Sequence, residues 1–199
     1  AKAMDLRAQG KEILSLSVGE PDFTTPEHVC QAAITAIEER FTRYTQVPGI
    51  PELREAVAGY FSRFYGVSAS LEHTIVTNGG KQALFNLFQA LVNPGDEVLI
   101  PSPYWVSYPA MVKLASGVPV PVPSSMANRF KVTPLDLDAH VTPKTKLLVL
   151  NSPSNPTGSL YEHEELDAIL AWAKDRDIFI IADEIYDRLV YDHEPVSLS

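Results

Sequence analysis

Several short polar segments carry residue types that could do chemistry, and each follows a run that reads as a β-strand. Asp183 ends the apolar run Ile178 to Ala182. A carboxylate in that place would be largely buried and would need a cationic or hydrogen-bonding partner to stay ionised. Tyr186 lies three residues on; if the segment is helical, a phenol and a carboxylate address one ligand from a single element. Asn78-Gly79-Gly80-Lys81 opens a helical pattern after His73 to Thr77. There the backbone can approach an anion while free N–H groups and the helix dipole face it, an effect of ~0.3 to 1 kcal/mol per charge. Trp105 follows the run Glu97 to Pro101 and could stack on a flat ring, and Asn155-Pro156-Thr157-Gly158 forms a turn signature after Lys146 to Leu150. In parallel α/β sheets ligands bind beyond the carboxyl ends of the strands, which is where all of these residues fall.

Each signal also has a plain structural explanation. Gly79-Gly80 can be a tight strand-to-helix turn, Trp105 a core edge, and Asp183 a salt bridge or an N-cap for the segment starting at Glu184. Other chemistries are excluded. The residue five before Gly80 is Ile75 and the one after Lys81 is Gln82, so the segment is not a Walker loop. His163-Glu164 lacks a second histidine four residues on, no Gly-x-Ser-x-Gly elbow exists, and the single cysteine, Cys30, rules out an intrachain disulfide and any Cys-pair zinc site. No metal centre is expected.

The elements that must position these residues are legible from periodicity. Pro26 to Glu39 spaces Val29, Ala33 and Ile37 helically, and Pro51 to Tyr65 puts Leu53, Val57, Tyr60, Phe61 and Phe64 on one stripe. Both begin with proline, which the first helical turn tolerates. From residue 73 short β-branched runs alternate with helices: strands at His73 to Thr77, Glu97 to Pro101, Val118 to Val122, Lys146 to Leu150 and Ile178 to Ala182, with helices at Lys81 to Val92 and Tyr161 to Lys174. The last helix would turn Leu166, Ile169, Leu170 and Ala173 inward. The alternation of valine and proline over Val118 to Pro123 fits a polyproline segment and an edge strand equally well. The expected class is α/β, a three-layer sandwich with a mostly parallel central sheet.

Composition bounds the partners. Sixteen Lys and Arg against 25 Asp and Glu leave a net charge of -9 over 199 residues, which argues against nucleic acid. No apolar run approaches the ~18 residues of a membrane helix, and the first residues lack a signal-peptide core, so neither a membrane nor secretion is expected and the cytoplasm is the simplest compartment.

Taken in this order, the segments resemble the class I/II aminotransferases, fold type I enzymes that use pyridoxal 5'-phosphate. The resemblance rests on Ser17 to Phe23 (Ser-Val-Gly-Glu-Pro-Asp-Phe), Tyr44 to Glu55, Thr77 to Asn86, Ser102 to Pro109, Asn151 to Gly158 and Ala182 to Tyr186. It spans nearly the whole chain and is nearest to the prokaryotic-type aspartate and prephenate aminotransferases.

The resemblance implies roles for single residues. Asp183 would pair with the pyridine nitrogen, Tyr186 and Asn155 would hydrogen-bond the ring's phenolic oxygen, and Trp105 would stack on the ring. Gly79, Gly80 and Lys81 would bind the phosphate, and Tyr44 would reach the phosphate of a neighbouring subunit, which implies a homodimer. Gly19 would lie near the substrate carboxylate, with Trp105 and Asn155 also at the substrate, and Lys81 could instead read a side-chain carboxylate. Residues 1–25 would be an N-terminal arm and small-domain segment and 26–199 the cofactor-binding large domain, incomplete in this chain.

The family's Schiff-base lysine follows a further strand beyond the Asp-x-x-Tyr segment. Lys2, Lys11, Lys81, Lys113, Lys131, Lys144, Lys146 and Lys174 lack that context, so the resemblance implies a piece of a longer enzyme. One departure is Ser154, where relatives often carry asparagine. The implied reaction moves an amino group from an acidic or aromatic amino acid to a 2-oxo acid. The alternatives are a carbon-sulfur lyase with the same cofactor grip and a noncatalytic binding module.

Overall fold

The computed structural model describes residues 2–14, 23–192 and 196–198. They fall into two compact units, 1–45 and 46–199. The first holds α1 (Lys2–Ala8) and α2 (Glu27–Glu38), and neither helix buries a residue. Cys30 is half-buried.

The second unit begins with α3 (Pro51–Tyr65), where Pro51 opens the first turn and Gly66 closes the helix at φ 70°. Proline lacks an N–H that this turn could not use, and glycine enters the left-handed region without a Cβ clash. There follow α4 (Gly80–Leu91), β1 (Glu97–Ser102), α5 (Ser107–Leu114), β2 (Val118–Pro123), α6 (Pro134–Asp138), β3 (Thr145–Asn151), α7 (His163–Asp175) and β4 (Phe179–Asp183).

Among the described residues the strands form one sheet in the order β2-β1-β3-β4, and every pairing is parallel. Period-2 alternation sends neighbouring side chains to opposite faces. Leu99, Leu148 and Leu150 meet Leu166, Ile169 and Trp172 of α7 on one face. Val98, Ile100, Leu147 and Val149 meet Phe88 of α4 and Val112 of α5 on the other. The result is a three-layer α/β/α sandwich, as the sequence pattern indicates. Phe88 is fully buried, and its truncation to alanine would cost about 3 to 5 kcal/mol.

The edge strand β2 reads as its composition suggests. Val118 donates its N–H to Asp96 O at 2.8 Å, so the alternate positions Val120 and Val122 also face β1. Pro119, Pro121 and Pro123 then point their imide nitrogens outward, where no ladder bond is needed.

Some expectations need correction. His73 to Thr77 is not a strand: a 3-10 turn covers Leu71–His73, and the next residues are extended without a ladder, Val76 N–H bonding only Pro48 O at 2.9 Å. β-branched composition favours a pleated surface, but a strand also needs a neighbour to pair with, and Ile75 is 70% exposed. In α7 it is Trp172 rather than Leu170 that is buried. Asp183 is half-buried rather than largely buried, because β4 stands at the edge of the described sheet.

Candidate active site

Because β1, β3 and β4 run parallel, their carboxyl ends at Ser102, Asn151 and Asp183 open on one edge of the sheet, with Asn151 in register with Asp183. The Asn151 amide braces that edge. Its Nδ2 donates to Asp183 O at 2.8 Å and to Pro153 O at 3.2 Å, while its Oδ1 accepts the Asn155 N–H at 2.6 Å. The loop bearing Asn155 is thereby tied to the strand bearing Asp183, and Asn155 is half-buried.

Asp183 accepts on both carboxylate oxygens. The Tyr108 hydroxyl donates to Oδ2 at 2.6 Å and the Ile185 N–H to Oδ1 at 3.3 Å. Tyr108 is only 2% exposed. Burial first, and the bond to Asp183 second, push its phenol above the ordinary tyrosine value, so it remains a donor across the neutral range. Its ring meets Trp105 edge-on, with centroids 5.4 Å apart at 83°. Sequence reasoning did not single out Tyr108, although Tyr108 stands three residues after Trp105 and Asp183 required a partner. Asn151 was read only as the start of a loop.

Tyr186 is half-buried and is an electrostatic neighbour of Tyr108. The segment after β4 is a turn, with Asp187 N bonded to Glu184 O at 3.0 Å and Leu189 N to Tyr186 O at 2.8 Å. The helix that would have put Asp183 and Tyr186 on one side is therefore absent, and the turn brings Tyr186 toward Tyr108 instead.

At the start of α4, Gly79 takes φ 80° and ψ 163°, a combination essentially restricted to glycine. The N–H groups of Gly80 and Lys81 have no acceptor among the described residues, as expected for the first turn of a helix. The same turn adjoins the carboxylate segment, since a Cβ on Gly80 would lie 3.8 Å from Ile185 Cδ1. Lys81 Nζ stands 5.0 Å from the Trp105 ring centroid. The fold thus brings Gly79, Gly80, Lys81, Trp105, Asn155, Asp183 and Tyr186 to one edge. Tyr44 is fully exposed and belongs to the first unit, and Gly19 lies outside the described residues.

Among the described residues no group of three or more His, Cys, Asp and Glu side chains could hold a metal ion, and no helix is long and apolar enough to cross a membrane. A groove of about 590 Å³ beside β4 is lined mainly by apolar side chains, among them Phe61, Leu170, Phe179 and Ile180, with Lys174 and Glu184 as its charged members. It carries little polar chemistry and follows from the uncovered flank of an edge strand.

Comparison with known proteins identifies the family. The family model for aminotransferase class I and II matches residues 11–198. The chain is 52% identical over 197 residues to the aspartate/prephenate aminotransferase of Thermus thermophilus, covering 99% of this chain and 51% of that protein. It is 49% identical to the asparagine--oxo-acid transaminase of Streptococcus mutans, covering 96% of this chain and 49% of that protein. Among solved structures, the aspartate aminotransferase of Thermus thermophilus with maleate superposes with a TM-score of 0.95 at 51% identity, covering 99% of this chain and 52% of that one. The aspartate aminotransferase of Thermotoga maritima superposes with a TM-score of 0.95 at 42% identity, covering 99% and 52%. The chain spans about half the length of the curated relatives it matches. On sequence and fold together, it belongs to the class I and II aminotransferases.

Proposed function

We propose that this chain forms the cofactor-holding part of a pyridoxal 5'-phosphate-dependent aminotransferase that moves an amino group from an acidic or aromatic amino acid to a 2-oxo acid. The observation that carries the reading is Asp183 at the carboxyl end of β4, braced by the buried Tyr108 beside Trp105 and the unpaired N–H groups of α4. The donor set fits the group. Unpaired N–H groups and a lysine suit a phosphate, a carboxylate suits a protonated pyridine nitrogen, a phenol and an amide suit a phenolic oxygen, and an indole suits a ring face.

The chemistry that pyridoxal phosphate supplies when bound is an electron sink for the electron pair left at the substrate's α carbon. Asp183 holds the proton at the ring nitrogen, and Tyr108 fixes the orientation of that carboxylate. Tyr186 and Asn155 hydrogen-bond the phenolic oxygen, Trp105 covers one ring face, and Gly79, Gly80 and Lys81 hold the phosphate. Trp105 and Asn155 also border the substrate. Tyr44, fully exposed, serves the phosphate site of a second subunit in a homodimer. Residues 1–25 form an arm and small-domain segment, and 26–199 belong to the large domain. A lone free thiol suits the reducing cytoplasm.

Acidic substrates are favoured because the similar proteins include aspartate aminotransferases, one of them solved with the dicarboxylate maleate. The test is amino transfer from aspartate to 2-oxoglutarate by the full-length protein loaded with pyridoxal phosphate. Asp183→Asn should lower kcat/KM by about 10²-fold or more, the scale of losing a preorganised electrostatic contact. Full activity in that variant, or no transfer from any acidic or aromatic donor, contradicts the proposal. Lys81→Gln should weaken pyridoxal phosphate binding and leave the ratio of KM for aspartate to KM for phenylalanine unchanged. The opposite pattern would move Lys81 to the substrate side chain.

A further inference from the structure

Tyr186 lies in no helix or strand, yet it is moored on both sides. On one side Glu184 accepts the Ser197 hydroxyl at 2.8 and 2.9 Å and the Leu198 N–H at 2.8 Å. On the other, Asp187 Oδ2 accepts the hydroxyls of both Tyr60, at 2.5 Å, and Tyr65. Arg188 completes this second mooring: its Nε donates to the Tyr60 hydroxyl at 2.7 Å, and its guanidinium carbon lies 3.8 Å from the Phe64 ring centroid. The α3 stripe is a cradle for Asp187 and Arg188, more than 120 residues away.

The pattern is more specific than a turn requires. Two phenols converge on one carboxylate oxygen, and hydrogen bonds to ionised groups are shorter and stronger than neutral ones. Burial, and then the bond to Asp187, push the Tyr65 phenol upward, so it stays a donor. The mooring is immediately next in sequence to Tyr186, whose hydroxyl has no hydrogen-bond partner among the described residues.

We propose that Asp187 is a positioning residue. Anchored on Tyr60 and Tyr65 of α3, it sets where the Tyr186 hydroxyl stands relative to Asp183 and so sets the hydrogen bond that Tyr186 gives to the bound cofactor. The inference rests on the pyridoxal phosphate reading above.

The test titrates pyridoxal phosphate into the cofactor-free full-length protein and records both affinity and the absorption maximum of the bound form. Tyr60→Phe/Tyr65→Phe keeps both rings and removes both donors. It should weaken binding about fivefold to tenfold and move the absorption maximum in the same direction as Tyr186→Phe. In a Tyr186→Phe background it should have an effect of less than about twofold, because the residue it acts through is gone. Asp187→Asn, which keeps an acceptor, should lie between wild type and the double variant, and supplies the measurement if that variant does not fold.

Equal fold-losses in both backgrounds, or no loss in the wild-type background, would overturn the positioning role while leaving the cofactor reading intact. If Tyr186→Phe moves neither affinity nor spectrum although the cofactor binds, Tyr186 is not the target and the inference falls. If the wild-type protein does not bind pyridoxal phosphate, the functional reading itself falls.

Discussion

Asp183 and Tyr108 make a pair in which each residue explains the other. A tyrosine 2% exposed needs an acceptor for its hydroxyl, and a carboxylate at a strand end needs donors. Hydrogen bonds to charged groups contribute about 1.5 to 3 kcal/mol, so Tyr108→Phe should destabilise the full-length protein by about 1 to 2 kcal/mol, read by urea unfolding at pH 7. The phenol is raised above its unfolded value of about 10. Its contribution is therefore complete below about pH 10 and fades above it, as the unfolded chain releases the proton that the folded chain keeps. The gap between wild type and Tyr108→Phe should be flat from pH 7 to 9 and narrow by pH 11. A gap still constant at pH 11 would mean that the hydroxyl is not held in this way. Asp183 and the glycine pair could be located from sequence because one ends a strand and the other opens a helix, and Trp105 because it follows a strand by three residues, positions that period and turn chemistry mark. Tyr108 could not, because Pro109 in the first turn of α5 disguises that helix, although proline is tolerated there.

At the scale of elements, a change at the start of α4 tests the proposed phosphate site without touching a side-chain contact. A methyl on Gly79 would meet nothing within 4 Å, so Gly79→Ala acts through the backbone alone, at about 1 to 3 kcal/mol of strain. It should weaken pyridoxal phosphate binding more than it lowers the melting temperature of the cofactor-free protein would suggest; losses in proportion would place the anion elsewhere. The residues leading into α7 provide a second case. The hydroxyl of Tyr161 accepts the Val132 N–H at 2.8 Å, and burial is the largest influence raising its phenol, to about 12. Its stabilising contribution is present below about pH 10 and is lost between about 10 and about 12. Tyr161→Phe leaves a buried N–H unpaired and should cost about 1 to 3 kcal/mol at neutral pH, with a shallower alkaline loss in denaturant midpoints. The valine-proline alternation of β2 was only half legible: it suits a polyproline segment as well as an edge strand, and the pairing with β1 decides for the strand. The segment 73–77 was misread because composition does not report whether a neighbouring strand exists.

For the whole molecule, the two edges of the sheet differ. β2 turns proline imides outward, whereas β4 has no strand paired on its outer side among the described residues, with Phe179 52% exposed and a mainly apolar groove beside it. Unprotected edges invite pairing with another chain. A 199-residue polypeptide of this sequence should therefore self-associate or unfold with weak cooperativity, measured by sedimentation and thermal melting. A monomer with one sharp transition would contradict this. The layered α/β architecture was legible because helix and strand periods alternate along the chain. The mooring of Tyr186 on α3 was not, because contacts across more than 120 residues leave no local period.

The central claim, that this strand-end edge holds pyridoxal phosphate through Asp183, is tested most directly by equilibrium titration of the cofactor into the cofactor-free full-length protein and its Asp183→Asn variant. The wild type should bind one cofactor per chain, and the variant should bind clearly more weakly with an altered absorption band. No stoichiometric binding to the wild type, or identical affinity and spectrum in Asp183→Asn, would contradict it.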